Sequence, residues 1–141
     1  MDQKLFVAPN VSHEEHRLRY IVAGNPNTPE KLLSKLAQDE LHTVRRRVAE
    51  NPRSSADILT MLACDESVEV RICVAENENT PPDTLIVLSR DESADVRYGL
   101  AENPHMPVPV LVELAQDENP YVACRAARTL QIIATTLQLP Q

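Results

Sequence analysis

The residue types that could do chemistry in this chain recur at one fixed spacing. Aspartate followed by glutamate occurs four times at intervals of 26 residues, and arginine recurs at the same interval. Two carboxylates can act as general acid and base, but only where their environments shift their pKa values apart. A residue that recurs in every unit instead serves a need that every unit shares. We therefore interpret these residues as structural Asp–Arg bridges, a ladder that comprises Asp39, Asp65, Asp91, Arg45, Arg71 and Arg97.

The two series differ near the end of the chain. Arg19 and Asp117 extend them, but Ala123 occupies the position of the next arginine. We therefore expect Asp117 to lack an arginine partner. The glutamates that follow the aspartates predict a solvated acidic ridge, which a basic partner or loosely held cations could contact.

The remaining reactive residues show no pattern typical of an active site. His13 and His16 lie at helical spacing, but no third metal ligand is near them in the sequence. The three cysteines, Cys64, Cys73 and Cys124, show no Cys-x-x-Cys spacing, which favours free thiols in a reducing compartment. Two glycines are too few for a glycine-rich phosphate loop. We predict no catalytic residue, no metal, no cofactor and no enzymatic activity.

One column of residues favours binding rather than catalysis. If Val44 points into the core, the residue two positions later lies about 200° around the helix and points away from it. Polar residues should dominate that face, yet two tyrosines and an isoleucine occur there, where they could pack across layers or bind a partner. Gly99, which lies in a predicted helix at a cost relative to alanine, could make room for Tyr98 or for a ligand. The column comprises Tyr20, Arg46, Ile72, Tyr98 and Cys124, and the predicted binding residues are Tyr20, Arg46, Arg47, Ile72, Tyr98 and Arg125.

The elements that must position these residues follow from the same period, because leucine, valine, alanine and asparagine also recur every 26 residues. Each unit contains two helices. Helix A begins at pairs such as Thr28-Pro29, where threonine caps the helix and proline fits its first position. Helix B ends at asparagine, which tolerates a left-handed cap, and the proline that usually follows cannot continue the helix. Helices of about ten residues are unstable alone in water, so the units must stack.

The sequence therefore predicts an all-α fold, an α-solenoid of 26-residue two-helix repeats with capping helices at both ends. One domain covers residues 1–141, with repeats at 25–50, 51–76, 77–102 and 103–128. Residues 1–24 are predicted as a cap and half repeat, in which Ser12 to Glu15 form a capping box and Leu5 to Val7 cover the exposed side. Residues 129–141 are the second cap, part of one helix from about Pro120 to Leu137 whose last layer is closed by Ile132, Ile133 and Leu137.

Two strings in the sequence are typical of one repeat family. They are Asn25-Pro26-Asn27-Thr28-Pro29-x-x-Leu32-Leu33-x-x-Leu36-Ala37 and Val44-Arg45-x-x-Val48-Ala49-x-Asn51-Pro52. Over about residues 13 to 128 the chain resembles the leucine-rich repeat variant family, bacterial repeats that form a right-handed superhelix related to HEAT and armadillo arrays. The repeats here are longer than is usual in that family, and the cysteines of its iron–sulfur cluster are missing. The resemblance implies an interaction or scaffold role without a cluster.

The predicted function is therefore a protein–protein interaction module whose helix-B face is concave and binds an unknown protein or peptide. A net charge of −7 and only one Phe and three Tyr disfavour nucleic acid. A nucleic-acid-binding HEAT-like protein and a HEAT-like lyase or enzyme subunit remain the alternatives. No segment is apolar enough to span a membrane, and the short acidic N-terminus is unlike a signal peptide, which predicts a cytoplasmic protein. We expect a monomer or a weak homodimer.

Overall fold

A computed structural model of the protein describes residues 9–138, with side chains described from residue 13 onward. Every regular element in this range is an α-helix, and residues 9–138 contain no strand, which confirms the predicted all-α class. The predicted cover by Leu5 to Val7 lies outside the described residues. The helices are α1 (Pro9–Gly24), α2 (Glu30–Leu36), α3 (His42–Glu50), α4 (Ala56–Leu62), α5 (Val68–Glu76), α6 (Pro82–Leu88), α7 (Ala94–Ala101), α8 (Val108–Leu114) and α9 (Pro120–Leu137).

The helices occupy two alternating positions in the packing. Each odd-numbered helix packs on the next odd-numbered one, from α1 through α3, α5 and α7 to α9. Each even-numbered helix contacts the odd-numbered helices that precede and follow it. Neighbouring helices of one kind therefore carry equivalent residues of the 26-residue period, which brings like positions side by side.

The core consists of the recurring leucines and valines. Each of the four even-numbered helices carries a leucine at the same position of the repeat. Leu33, Leu59 and Leu111 are fully buried there, but Leu85 is only half-buried. Burial of one such side chain contributes about 2 kcal/mol to the free energy of folding. Because no single helix could enclose these residues, each helix depends on its neighbours for stability. The valines of the odd helices complete the core, at positions 44, 70, 96 and 122.

The predicted capping of helix A by threonine is wrong. Pro29 is the N-cap of α2, and the Thr28 hydroxyl instead donates a hydrogen bond of 2.6 Å to the carbonyl oxygen of Val22. The last carbonyls of a helix lack partners within it, and a buried hydroxyl needs an acceptor, so this bond satisfies both groups. The equivalent bonds join Ser54 to Val48 and Thr80 to Val74.

The predicted left-handed asparagine cap is also wrong. Asn51 has an extended backbone, with φ −70° and ψ 125°, and no residue in the described part of the chain has a positive φ. Its side chain acts between units: Nδ2 donates to the carbonyl oxygens of Ala23 at 2.8 Å and Asn25 at 2.9 Å. Asn77 donates in the same way to Ala49 and Asn51. We call these bonds the loop ladder, because they tie the loops after α3 and α5 to the preceding unit.

The two ends of the described chain differ in how well they were predicted. Because α1 begins at Pro9, a residue tolerated in a first helical turn, Ser12 to Glu15 lie inside the helix rather than at its start, where a capping box would belong. α9 covers the predicted range, and the Asn119 side chain caps it. Ile133 packs against the core, whereas Ile132 and Leu137 are exposed. Ile132 lies to one side of the helix face that packs on the core, and Leu137 is at the end of the helix.

Candidate functional site

The Asp–Arg ladder joins each unit to the next through partly buried hydrogen bonds. Arg45 donates from Nε to Asp65 Oδ2 at 2.7 Å and from Nη2 to Asp65 Oδ1 at 3.1 Å. Its Nη1 donates to the carbonyl oxygens of Asp39 and Glu40, which are the turn of its own unit. The same Asp65 carboxylate accepts the backbone N–H of Ser67 at the start of α5. Each guanidinium therefore connects the turn of its own unit to the turn of the next unit by hydrogen bonds. Its planar geometry suits such paired acceptors.

The ladder has four steps, and every arginine pairs with the aspartate 20 residues later. The expectation that Asp117 lacks a partner is therefore wrong: Arg97 donates to it at 2.8 Å and 3.1 Å. Ala123 does not matter to Asp117, because the arginine of the preceding unit is the one that reaches forward. The bond from Arg97 lowers the pKa of Asp117, with a further contribution from the backbone N–H of Asn119. The steps are Arg19–Asp39, Arg45–Asp65, Arg71–Asp91 and Arg97–Asp117.

The column of predicted binding residues places one side chain on each odd-numbered helix, from α1 to α9. We call it the odd-helix column: Tyr20, Arg46, Ile72, Tyr98 and Cys124. Tyr20 is 40% exposed and Cys124 is exposed. Ile72 and Tyr98 are partly buried and pack against the core, so they do not point directly away from it as the helical geometry predicted.

The arginines at the start of the column are held in place by Glu50. Arg46 donates to Glu50 Oε1 at 2.9 Å, and Arg47 donates to Glu50 Oε2 at 3.1 Å. The Arg47 guanidinium also lies over the Tyr20 ring, 4.8 Å from its centroid, a cation–π contact. A β-carbon at Gly24 would overlap that guanidinium, so glycine at position 24 makes room for it. Burial raises the pKa of Glu50, but the bonds from both arginines outweigh this and lower it overall.

The later part of the column has different neighbours. Arg125 approaches Glu102 with its Nη2 3.5 Å from Oε2. Cys73 is buried, and its thiol lies 3.6 Å from Glu50 Oε1. Burial, followed by the nearby Glu50 charge, raises the pKa of Cys73 to about 12. This thiol is therefore protonated at neutral pH.

The sequence reasoning missed a set of exposed apolar residues on the even-numbered helices. Met61 and Val87 are 43% and 63% exposed and stand 26 residues apart on α4 and α6. Val108 and Val112 on α8 are similarly exposed. The sequence contained a signal for these exposed residues. They are apolar at positions where the leucine core does not require an apolar side chain. This set of exposed residues contains neither tyrosine nor arginine, the residue types that most often dominate binding energy.

A cavity of about 730 Å³ was also missed, and it opens between the third and fourth loops after the odd helices. Its lining includes Gly99, which follows the column residue Tyr98 on α7, but Tyr98 itself is not a lining residue. A β-carbon at Gly99 would meet no atom within 4 Å, so glycine here leaves open space. The half-buried Leu85 forms part of the apolar wall. The lining residues are Ala75, Glu76, Asn77, Glu78, Thr80, Pro82, Leu85, Gly99, Glu102, Asn103 and His105.

Other kinds of site receive no support from the part of the chain that the structure describes. Residues 9–138 contain no group of three His, Cys, Asp or Glu side chains arranged to hold a metal ion. Over the same range, no helix combines the length and apolar character needed to cross a bilayer. His42 Nε2 lies 3.8 Å from Glu69 Oε2, and both side chains are exposed on the surface. Comparison with known proteins finds no family model that matches this chain and no significant match among curated proteins.

Proposed function

We propose that this chain is a right-handed α-solenoid of four 26-residue repeats between two caps, and that it is a protein-binding module. The odd-helix column is the proposed contact surface and lies on the concave side. The proposal keeps the relationship to the leucine-rich repeat variant family and the cytoplasmic location expected from the sequence.

The observation that carries the proposal is the packing of the odd-numbered helices. Five consecutive odd helices contact one another in chain order and align one column residue each. At the start of the column, Arg46 and the neighbouring Arg47 both bind the Glu50 carboxylate, and Arg47 stacks on the column residue Tyr20. These contacts order the side chains before a partner binds. A surface ordered before binding loses little conformational entropy when a partner docks. Tyrosine and arginine then supply the residue types that dominate interface energies.

Binding of nucleic acid is the weaker proposal because most ladder arginines are occupied. Arg45, Arg71 and Arg97 each donate to an aspartate carboxylate and to backbone carbonyls, and their side chains are 8–11% exposed. Guanidinium groups used in this way cannot neutralise phosphates, which supply most of the affinity for nucleic acid.

The proposal can be tested by selecting ligands from a displayed library of random peptides against the immobilised chain. Affinities of the selected peptides are then measured by titration calorimetry for the wild type and for the double variant Tyr20→Ala, Tyr98→Ala. We expect the double variant to weaken binding at least about tenfold, the effect of losing roughly 1.4 kcal/mol of contact energy.

The matched control replaces exposed apolar residues on the even helices, in the double variant Met61→Ala, Val87→Ala. Binding by this control should equal that of the wild type. The proposal is wrong if the selected peptides lose affinity for the control and bind the tyrosine variant normally, or if repeated selection yields no specific ligand. Circular dichroism must show that both variants keep the helical content of the wild type.

A further inference from the structure

The loop ladder is interrupted at the cavity. The carbonyl oxygens of Ala23 and Ala49 accept hydrogen bonds from Asn51 and Asn77, and that of Ala101 accepts one from Thr129. The intervening member, the carbonyl oxygen of Ala75, receives no hydrogen bond from any residue in the described chain, although Ala75 is 2% exposed. Ala75 also lines the cavity, so its carbonyl oxygen is an acceptor available to a donor of a bound ligand.

The interruption coincides with sequence changes in the fourth repeat. Asn103 occupies the position of Asn51 and Asn77, and its Oδ1 accepts a backbone N–H as theirs do, but its Nδ2 donates to no described residue. Met106, 3% exposed, replaces the threonine or serine of the earlier units, and Leu100 replaces their valine. These larger buried side chains accompany the separation of the two loops. Gly99 contributes no side chain to fill the gap that results.

The walls of the cavity select the charge of an occupant. Glu76, Glu78 and Glu102 line it, and among the described residues His105 is the only lining group that can become positive. Arg125 approaches Glu102 at 3.5 Å and offsets one of these charges, which leaves an excess of negative charge. The other wall is apolar and includes Pro82 and Leu85. An occupant with a cationic end and an aliphatic stem matches both walls.

We propose that this cavity binds the side chain of a lysine or arginine from a basic segment of a partner protein. The stem packs on Pro82 and Leu85, and the cationic group donates to the Ala75 carbonyl and to the carboxylates of Glu76 and Glu102. Ammonium and guanidinium groups are donors only, which suits a cavity rich in acceptors. The inference rests on the proposed protein-binding function and deepens it, because the lining residue Gly99 lies on the same helix as the column residue Tyr98, and it names the chemistry of the segment that would be bound.

The test uses the full chain, labelled with ¹⁵N, and small probes that do not require the odd-helix column. Nα-acetyl-lysine amide and Nα-acetyl-arginine amide are titrated separately, and backbone amide shifts are followed by NMR. We expect saturable shifts confined to residues 75–80 and 99–105 for at least one of the two probes. Nα-acetyl-norleucine amide has nearly the same stem without the charge and should produce no saturable shift in these residues.

Variants separate the cavity from the general negative charge of the protein. Glu102→Gln should weaken probe binding about tenfold, as expected for loss of a charge-assisted hydrogen bond, whereas the exposed Glu118→Gln should leave it unchanged. Gly99→Leu should fill the cavity and abolish binding. If circular dichroism shows that Gly99→Leu is unfolded, the double variant Glu76→Gln, Glu102→Gln takes its place, with loss of binding expected.

Three results would overturn the inference: equal shifts with the norleucine probe, equal weakening by Glu118→Gln, or no saturable binding by either cationic probe. Such a failure leaves the proposed function standing if peptides selected on the chain still depend on Tyr20 and Tyr98. The reverse outcome, with probes bound in the cavity and no dependence on the tyrosines, would contradict the proposed column and keep the cavity.

Discussion

The substitution Asp65→Asn tests whether the Asp–Arg ladder holds adjacent units together. Asparagine has the shape of aspartate and can still accept the N–H of Ser67 through Oδ1. Its Nδ2, however, would face Arg45 Nε, which now donates to Asp65 Oδ2 at 2.7 Å. Two donors would then oppose each other, and the Arg45 charge would lose the carboxylate that neutralises it.

The size of the effect follows from burial and from the bonds that remain. The side chains of Arg45 and Asp65 are 11% and 7% exposed, and removal of one partner from a buried pair costs about 3–5 kcal/mol. Arg45 keeps its bonds to two backbone carbonyls, and the Glu66 carboxylate lies 3.7 Å away. These partners compensate for part of the loss, so we expect the free energy of unfolding to fall by about 2–3 kcal/mol.

The assay is urea unfolding at neutral pH, followed by far-UV circular dichroism. The matched control is Glu66→Gln, which removes the adjacent carboxylate near the same arginine but at a position whose side chain is 91% exposed. The control should change the free energy of unfolding by no more than about 0.5 kcal/mol. The reasoning fails if the two variants lose equal stability, because Asp65 would then contribute no more than an exposed surface charge.

Three further predictions follow from single features of the structure. Gly99→Ala should raise the free energy of unfolding by about 0.5–1 kcal/mol in the same urea assay, because alanine favours a helix and its β-carbon meets open space. A fall in the free energy of unfolding would contradict this prediction. Asp117 has a lowered pKa in the fold, so its ionised form adds stability above its ordinary pKa of about 4, and that stability disappears as the pH falls below it. The deficit of Asp117→Asn relative to the wild type should therefore shrink in urea titrations between neutral pH and about pH 3, and a constant deficit would contradict the assignment. Iodoacetamide at mildly alkaline pH should label Cys64 and Cys124 in the folded protein and leave Cys73 unmodified until urea is added. Mass spectrometry of peptides measures the labelling of each thiol. Rapid labelling of all three thiols would contradict the burial of Cys73.

The helical content of the fold could be predicted because one period governs the whole sequence. Leucine at helical spacing predicted α2, α4 and α8, and the missing asparagine-proline stop predicted the length of α9. The roles of individual polar residues were harder to predict. Thr28 stands where an N-cap belongs in the sequence, yet its hydroxyl bonds to Val22 in the preceding helix. A sequence pattern gives the position of such a residue but not the direction in which its side chain reaches.

The candidate site was predictable only where it depends on repeated residues. Arginine and aspartate were recognised as partners, but the offset between them depends on which unit lies next to which, so the pairing of Asp117 with Arg97 was missed. The cavity lies where one hydrogen bond of the loop ladder is not made, and no residue pattern predicts its volume. Met106 in place of threonine and Gly99 in a helix were the sequence signals beside it.

The central claim, that a partner docks on the odd-helix column, is tested most directly by NMR mapping of a bound peptide. The peptide is the tightest ligand from the library selection, added to the ¹⁵N-labelled full chain. We predict that the largest shifts fall on the odd helices, at and next to Tyr20, Arg46, Ile72 and Tyr98. Shifts centred on Met61, Val87 and Val112 would contradict the claim and place the binding surface on the even helices instead.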